Sequence, residues 1–492
     1  METILIKGLQ LIVALALLII LHEFGHTIAA KIFKVRVEKF CLFFDWKYTI
    51  FSTYSNWWRK LTGKKPAKKK ENGEYEYEGT EYSIGWIPLG GYAKIAGMVD
   101  ESSFKEDDST KGFIKELPSM LKNIIIKKED VKGKSWEFRT HPAWQRLIIM
   151  LGGIIMNFIT AFVIYAMVLF TWGESFVKSE DMNYGMKFSE QAKADGFHDG
   201  DIIIKTDDAQ VESWSMAVLQ DISNAKTVTV LRDGKEVVIT LEGERSLLDM
   251  IEAPVYAAMR SPLVIDSIIP GTPAEEMGLK KTDKICSVNG IEVIDFNDFQ
   301  NALIKIQKNL PEKANFGDSL KARHITMVIN DSITRNVTLT SSFTLGFANA
   351  MPYADKVTTR HYGFFKSFPA GVKYGIKTLK SYVDQMKYVF TAKGARQVGG
   401  FISIGNIFPD VWDWHRFWLL TAFLSIALGF ANVLPIPALD GGHAIFALFE
   451  LFTGRRLSDN FLLVVQYFGM WILLGLMVLA QFNDIMRLLG FN

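Results

Sequence analysis

Four stretches of this 492-residue chain are long and apolar enough to cross a bilayer, and they constrain the fold more than anything else in it. A helix needs about 20 residues to span the hydrocarbon. Runs of that kind lie at about Ile4–Phe33, Trp144–Trp172, Trp414–Leu434 and Phe461–Ile485. Trp144, Trp172, Trp412, Trp414 and Trp418 stand at their edges, where aromatic rings suit the interface. The short flanks give the orientation. Lys31, Lys34, Arg36 and Lys39 follow the first run, His141 and Arg146 border the second, and Arg455 and Arg456 separate the third from the fourth. Basic flanks stay in the cytoplasm, so both termini are expected on the opposite side, with Arg487 alone against the rule. No small-residue cleavage site follows the first run, which therefore reads as a retained helix rather than a leader.

Hydrophobic residues make up 49% of the chain, but they are clumped into those runs. A net charge of +2 gives no reason to expect nucleic acid as a partner. The two cysteines, Cys41 and Cys286, are far apart and form neither a disulfide framework nor a CxxC metal site.

The first run contains "LHEFGH". His22 and His26 are four apart, so on a helix they share a face and can share a metal, with Glu23 beside them as a base. Such polarity inside a membrane span is expensive and argues for function. Zinc lowers the pKa of a water molecule to about 7, and a carboxylate can take the proton as that water attacks a carbonyl. Peptide hydrolysis is the reaction this suits. A catalytic zinc needs a third protein ligand. It is not supplied locally, because Ala29 and Ile32 stand where a longer HExxHxxGxxH motif would have glycine and histidine. The favoured candidate is Asp440 in "NVLPIPALDGGHAIF", beyond a span opened by Pro435 and Pro437, with His443 as its rival.

Between the first two runs, "WWRKLTGKKPAKKKENGEYEYEG" reads as a solvated or membrane-surface basic loop. "EYSIGWIPLGGYAKIAGM" then reads as β-hairpin strands too apolar for a free loop, with backbone able to enter a membrane only beside protein or a wet cavity. Between the second and third runs, "FSEQAKADGFHDGDIIIKTDDAQ" and "IPGTPAEEMGLKKTDKICSVNG" begin two imperfect copies of one small α+β module.

The paired motifs "HEFGH" and "NVLPIPALDGG" resemble those of the site-2 protease family of intramembrane zinc metalloproteases, and the layout is similar to its bacterial RseP branch. The resemblance covers nearly the whole chain. It implies a multi-span α-helical membrane protein with four transmembrane helices, a membrane-reentrant β-hairpin and two inserted PDZ-like domains. The segments are then 1–34 (first helix), 35–143 (basic loop and hairpin), 144–172 (second helix), 173–260 and 261–345 (PDZ-like modules), 346–411 (linker with an amphipathic segment), 412–440 (third helix) and 441–492 (connection and fourth helix). It implies one zinc per chain on His22, His26 and Asp440, Glu23 as general base, and Asn432 contacting the substrate backbone or the oxyanion. Ile84, Gly90, Gly91, Tyr92 and Ile95 would hold an unwound substrate by strand addition. The implied substrates are single-span membrane proteins, either pre-cleaved anti-sigma factors or remnant signal peptides, with an upstream site-1-type protease. The implied setting is a bacterial inner membrane and its lipid, with the active site toward the cytoplasm and the modules outside. Two motifs depart from the family: "LGGIIMNF" keeps Asn157 but lacks a proline, and Phe401 replaces the proline of a Gly-Pro-Ile-Ser segment.

Overall fold

The computed structural model describes residues 2–62, 68–69, 75–76, 79–98, 125–126, 133–207, 209–242, 245–251, 254–310, 316–389, 391, 394 and 398–489. The lysine-rich insert expected as a surface loop lies mostly outside them. The chain forms two compact units, Met1–Gly173 with His361–Asn492, and Glu174–Arg360.

The first unit is helical. Among the described residues, four helices are long and apolar enough to span a membrane: Thr3–Ile32, Ala143–Thr171, Trp414–Val433 and Asp459–Leu488. They belong to α1 (Glu2–Ile32), α2 (Ala143–Thr171), α4 (Trp414–Val433) and α6 (Asp459–Leu488), with α3 (Phe364–Val389) and α5 (Asp440–Thr453) between them in sequence. Helix α2 is the hub, and small residues let its neighbours close in. Gly25 of α1 meets Gly152 backbone to backbone, Gly429 of α4 lies on Asn157 and Phe158, and Gly371 and Gly375 of α3 lie on Ala166 and Phe162. A side chain at Gly25 or Gly371 would collide with the backbone of α2. Thus α3, read from sequence as part of a linker, is a helix packed along α2, with Tyr374 on Tyr165 and Phe364 on Phe170. Arg487, the one charge against the orientation rule, pairs with Asp484 at 3.4 Å and donates to Ser403 at 2.7 Å.

Against α1 lies a four-stranded sheet, and here the structure corrects the sequence reading. The strands β1 (Val37–Phe44), β2 (Phe51–Ser52), β3 (Glu81–Ile84) and β4 (Ile87–Ile95) stand in the order β2-β3-β1-β4. The two strands expected to form a hairpin, β3 and β4, do not pair with each other. β1 runs between them, parallel to β3 and antiparallel to β4. The connection Gly85–Trp86 crosses the end of β1, with the Gly85 N–H donating to Leu42 O and the Trp86 N–H to Phe44 O. Only glycine fits at 85, because a Cβ would strike the Phe44 backbone. The reading missed β1 because "FCLFF" is an unbroken apolar run without the alternation of a half-buried strand.

A polar clasp holds the far turn of this sheet. Lys39 pairs with Asp45 at 2.5 Å, and Tyr92 and Thr49 donate to the same carboxylate.

The second unit repeats one topology twice. Strands Ile202–Thr206, Thr227–Arg232 and Lys235–Thr240 with helix Met216–Asn224 match Ile285–Val288, His324–Ile329 and Ile333–Thr338 with helix Phe296–Lys308. In each copy a last short strand returns to the first, Ala257–Met259 to Met186–Phe188 and Phe347–Asn349 to Ile265–Ile268. The second return lies beyond the boundary read at 345, since three residues after Gly346 are too few to show a period. Val357–Arg360 then pairs with Glu174–Val177, so this unit closes on itself.

Candidate metal centre

Helical spacing puts His22 and His26 on one face of α1, and two glycines let that face approach α2. A Cβ at Gly153 would run into both imidazoles, so only a glycine there leaves them room. Each ring is fixed from behind. His26 donates its Nδ1–H to the carbonyl of Ile149 at 2.8 Å. His22 Nδ1 lies 3.0 Å from the side-chain amide of Asn157, a residue buried in α2. The nitrogen of that amide faces the ring and its oxygen is buried without a partner; turned over, which leaves its shape unchanged, the amide accepts the Nδ1–H through Oδ1 and leaves Nε2 with a lone pair. Both Nε2 atoms therefore face the same point, backed by the outer-shell bonds typical of metal-ligating histidines.

Asp440 comes to that point from the far end of the chain. After α4 the chain breaks at Leu434–Pro435 and turns through Ala438, whose φ is +80°. Gly441 and Gly442 press on the carbonyls of Asn432, Val433, Leu434 and Ile436, and Gly469 of α6 packs on Pro437. Side chains at these glycines would push the turn apart, and Asp440 with it. As built, Asp440 Oδ2 is 3.0 Å from His22 Nε2 and 3.2 Å from His26 Nε2, and the two Nε2 atoms are 3.3 Å apart.

These three residues form the one group of possible metal ligands among the described residues. Their triangle fits zinc, since an ion holding ligands at ~2.0–2.1 Å in a tetrahedron keeps them about 3.3 Å apart. Asp440 Oδ2 is also buried without a hydrogen-bond partner, although two rings lie within reach. An orphaned oxygen between two imidazoles is a position that suits a cation.

The other sequence candidates are distributed as follows. Glu23 is beside the histidines, and its Oε2 accepts the Ala93 N–H of β4 at 3.0 Å. Asn432 is buried in the last turn of α4 with its carbonyl against Gly441. His443 is outside the triangle; it packs near Phe446 and lines a small cavity with Arg146 and Glu450. Gly90 (φ +132°) faces Ile19 of α1, Gly91 backs onto Cys41 O, Tyr92 bonds Asp45, and Ile95 is buried among Ala29, Ala30 and Ile149. Ile84 cannot receive an added strand, because β3 is paired on one side to Leu42 and on the other to Phe51. Sequence reasoning missed the Asn157 contact with His22, although Asn157 in an otherwise apolar span was itself a signal.

The model of peptidase family M50 matches residues 10–55 and 72–476 of this chain. A putative zinc metalloprotease of Xylella fastidiosa (strain Temecula1 / ATCC 700964) is 26% identical over 97% of this chain and 98% of its own length. The metalloprotease MmpA of Caulobacter vibrioides is 25% identical, covering 98% and 96%. A regulator of sigma E protease of Haemophilus influenzae is 24% identical, covering 97% and 98%.

Proposed function

The chain belongs to peptidase family M50, the site-2 protease family, and is a membrane zinc metalloprotease; from that premise we propose that it cleaves the transmembrane segments of single-span proteins with His22, His26 and Asp440 as its zinc ligands. The observation that carries this is the triangle of 3.0, 3.2 and 3.3 Å edges formed on and beside apolar spanning helices. When bound, zinc supplies a Lewis acid that polarises a carbonyl and acidifies water. The rest falls to the chain. Glu23 takes the proton of the attacking water and delivers it to the leaving amine. Asn432, buried at the end of α4, offers its amide to the substrate backbone or the developing oxyanion.

A helical substrate hides its carbonyls, so it must be drawn out before attack. The outer edge of β4 does this by strand addition, with Gly91 and its neighbours as the template. Several contacts support a sheet that enters the membrane: Ile95 lies at Ala29 and Ala30, Ala93 at Glu23, and Gly90 at Ile19. β4 thus climbs α1 by roughly 20 Å from its basic end, at 1.5 Å per helical residue. At the far tip Trp46, Tyr48, Ile50 and Trp86 are exposed, as lipid contact would require.

The two repeated modules act as PDZ-like domains outside the cytoplasm. Two cavities of about 340 and 440 Å³ open between the modules, each lined by Val255 and Ala258 of the first and by Asn297 and Gln300 of the second. These suit a peptide end or a size screen. The name of the Haemophilus influenzae relative, a regulator of sigma E protease, supports a substrate in a sigma-factor pathway. The fuller reading is a pre-cleaved anti-sigma factor, with remnant signal peptides as the second class, in a bacterial inner membrane and after an upstream site-1-type protease. Co-expression of a tagged single-span tester with wild-type protein and with Glu23→Gln tests the reading. The wild type is expected to cleave and the variant not to; equal cleavage would overturn it.

A further inference from the structure

The Glu23 carboxylate is tied to a backbone amide of another element, and the sheet explains why that amide is available. β4 is an edge strand. In an antiparallel pair the residues alternate between turning their N–H and C=O toward the partner strand and away from it. Ala93, opposite Phe40, turns away from β1, and its N–H reaches Glu23 Oε2 at 3.0 Å. The donor sits on a fixed frame. Ile95 is buried against α1 two residues on, Gly90 is seated on Ile19 three residues before, and Phe40 stacks edge-on against Phe24.

We propose that the Ala93 amide is a positioning group for hydrolysis: it holds Oε2 of Glu23 so that Oε1 is the oxygen that takes the proton of the attacking water. This rests on the proposed role of Glu23 as general base. A charge-assisted bond of this kind is short and directional, and it removes the carboxylate's freedom to swing toward other donors. It has a consequence for substrate. A strand added to β4 cannot use the Ala93 N–H while Glu23 occupies it, so the ladder is interrupted beside the histidines. The substrate carbonyl opposite that gap is left without a strand partner and is free to turn toward the metal site.

The test replaces the amide without changing the side chain. In full-length protein in detergent, Ala93 is exchanged for lactic acid, which puts an ester where the N–H was; Ala93→Pro is a second way to remove it, and Ala93→Gly keeps it. Zinc per chain and cleavage of a purified single-span tester are measured for each. The ester variant should lose kcat by about tenfold or more relative to Ala93→Gly, which keeps the N–H, with KM and zinc unchanged. A readout independent of activity is hydrogen exchange in zinc-stripped protein, where the Ala93 amide should exchange at least about tenfold more slowly in wild type than in Glu23→Ala. An unchanged kcat in the ester variant overturns the proposal, as does equal exchange. A loss that appears only in KM also overturns it, because Ala93 would then be a substrate contact. Should Ala93→Pro fail to fold, the ester and the exchange comparison decide. A wild-type protein that never cleaves the tester fails the proposed function instead, and exchange still reads the bond.

Discussion

Two clusters of buried ionisable groups in this molecule look alike in composition and differ in what completes them. In the second unit, Lys187 lies 2.8 Å from Asp298, 3.1 Å from Asp199 and 3.3 Å from Asp295, and Arg260 adds a 2.8 Å contact to Asp295. That cluster brings its own cations. In the first unit, Asp440 is within ion-pair distance of two imidazoles and, among the described residues, of no lysine or arginine. Its ligand atoms converge on one point while their outer sides are already satisfied by Ile149 and Asn157. Acidic residues buried with a lysine are a structural clamp. A carboxylate and two back-bonded imidazoles aimed at a shared point suit an ion.

The comparison breaks most visibly at the ligands. His22→Ala and Asp440→Ala should each lose the zinc and lower cleavage by roughly a thousandfold or more, read by metal analysis and a tester assay. Glu23→Gln should separate chemistry from binding, with zinc retained and kcat down by about 10²–10⁴. Asn157→Ala, which releases one imidazole from behind, should weaken zinc by about 10–100-fold in a chelator titration and leave the ligand set intact. At Lys187 the expectation reverses. Lys187→Met leaves the buried Asp295 with Arg260 as its remaining cation and the Asp298 N–H as a second donor, and should lower the stability of that unit by about 2 kcal/mol with zinc content unchanged. The smallest effect is on the acid side. Burial works to raise the Asp199 carboxyl, but the Phe188 N–H and Lys187 outweigh it and hold it below its usual value. A depressed carboxylate stabilises the fold above its unfolded pKa, so this contribution should fade as pH falls below about 4 in a pH series of thermal melts.

Much of the first cluster could be read before any coordinates. The four-residue spacing of His22 and His26 is decided by helical geometry alone, and an acid after a proline-broken span has few reasons to be there except a partner. The apolar runs were equally plain, since a bilayer asks only for length and composition. What stayed hidden depends on contacts distant in sequence. β1 carries no alternation to mark it as a strand, so its insertion between β3 and β4 was invisible, and with it the reason Ile84 has no free edge. The backing of His26 is a carbonyl, that of Ile149, and main-chain groups leave no trace in a sequence. The short strand Phe347–Asn349 exists only because Ile265–Ile268 waits for it.

Zinc-edge X-ray absorption on purified full-length protein, wild type beside Asp440→Ala, is the most direct measurement of the central claim. The account expects one zinc per chain in the wild type, in a shell of nitrogen and oxygen at about 2.0–2.1 Å with two imidazoles, and its loss or a depleted shell in the variant. Zinc held in an unchanged shell after Asp440→Ala would contradict it.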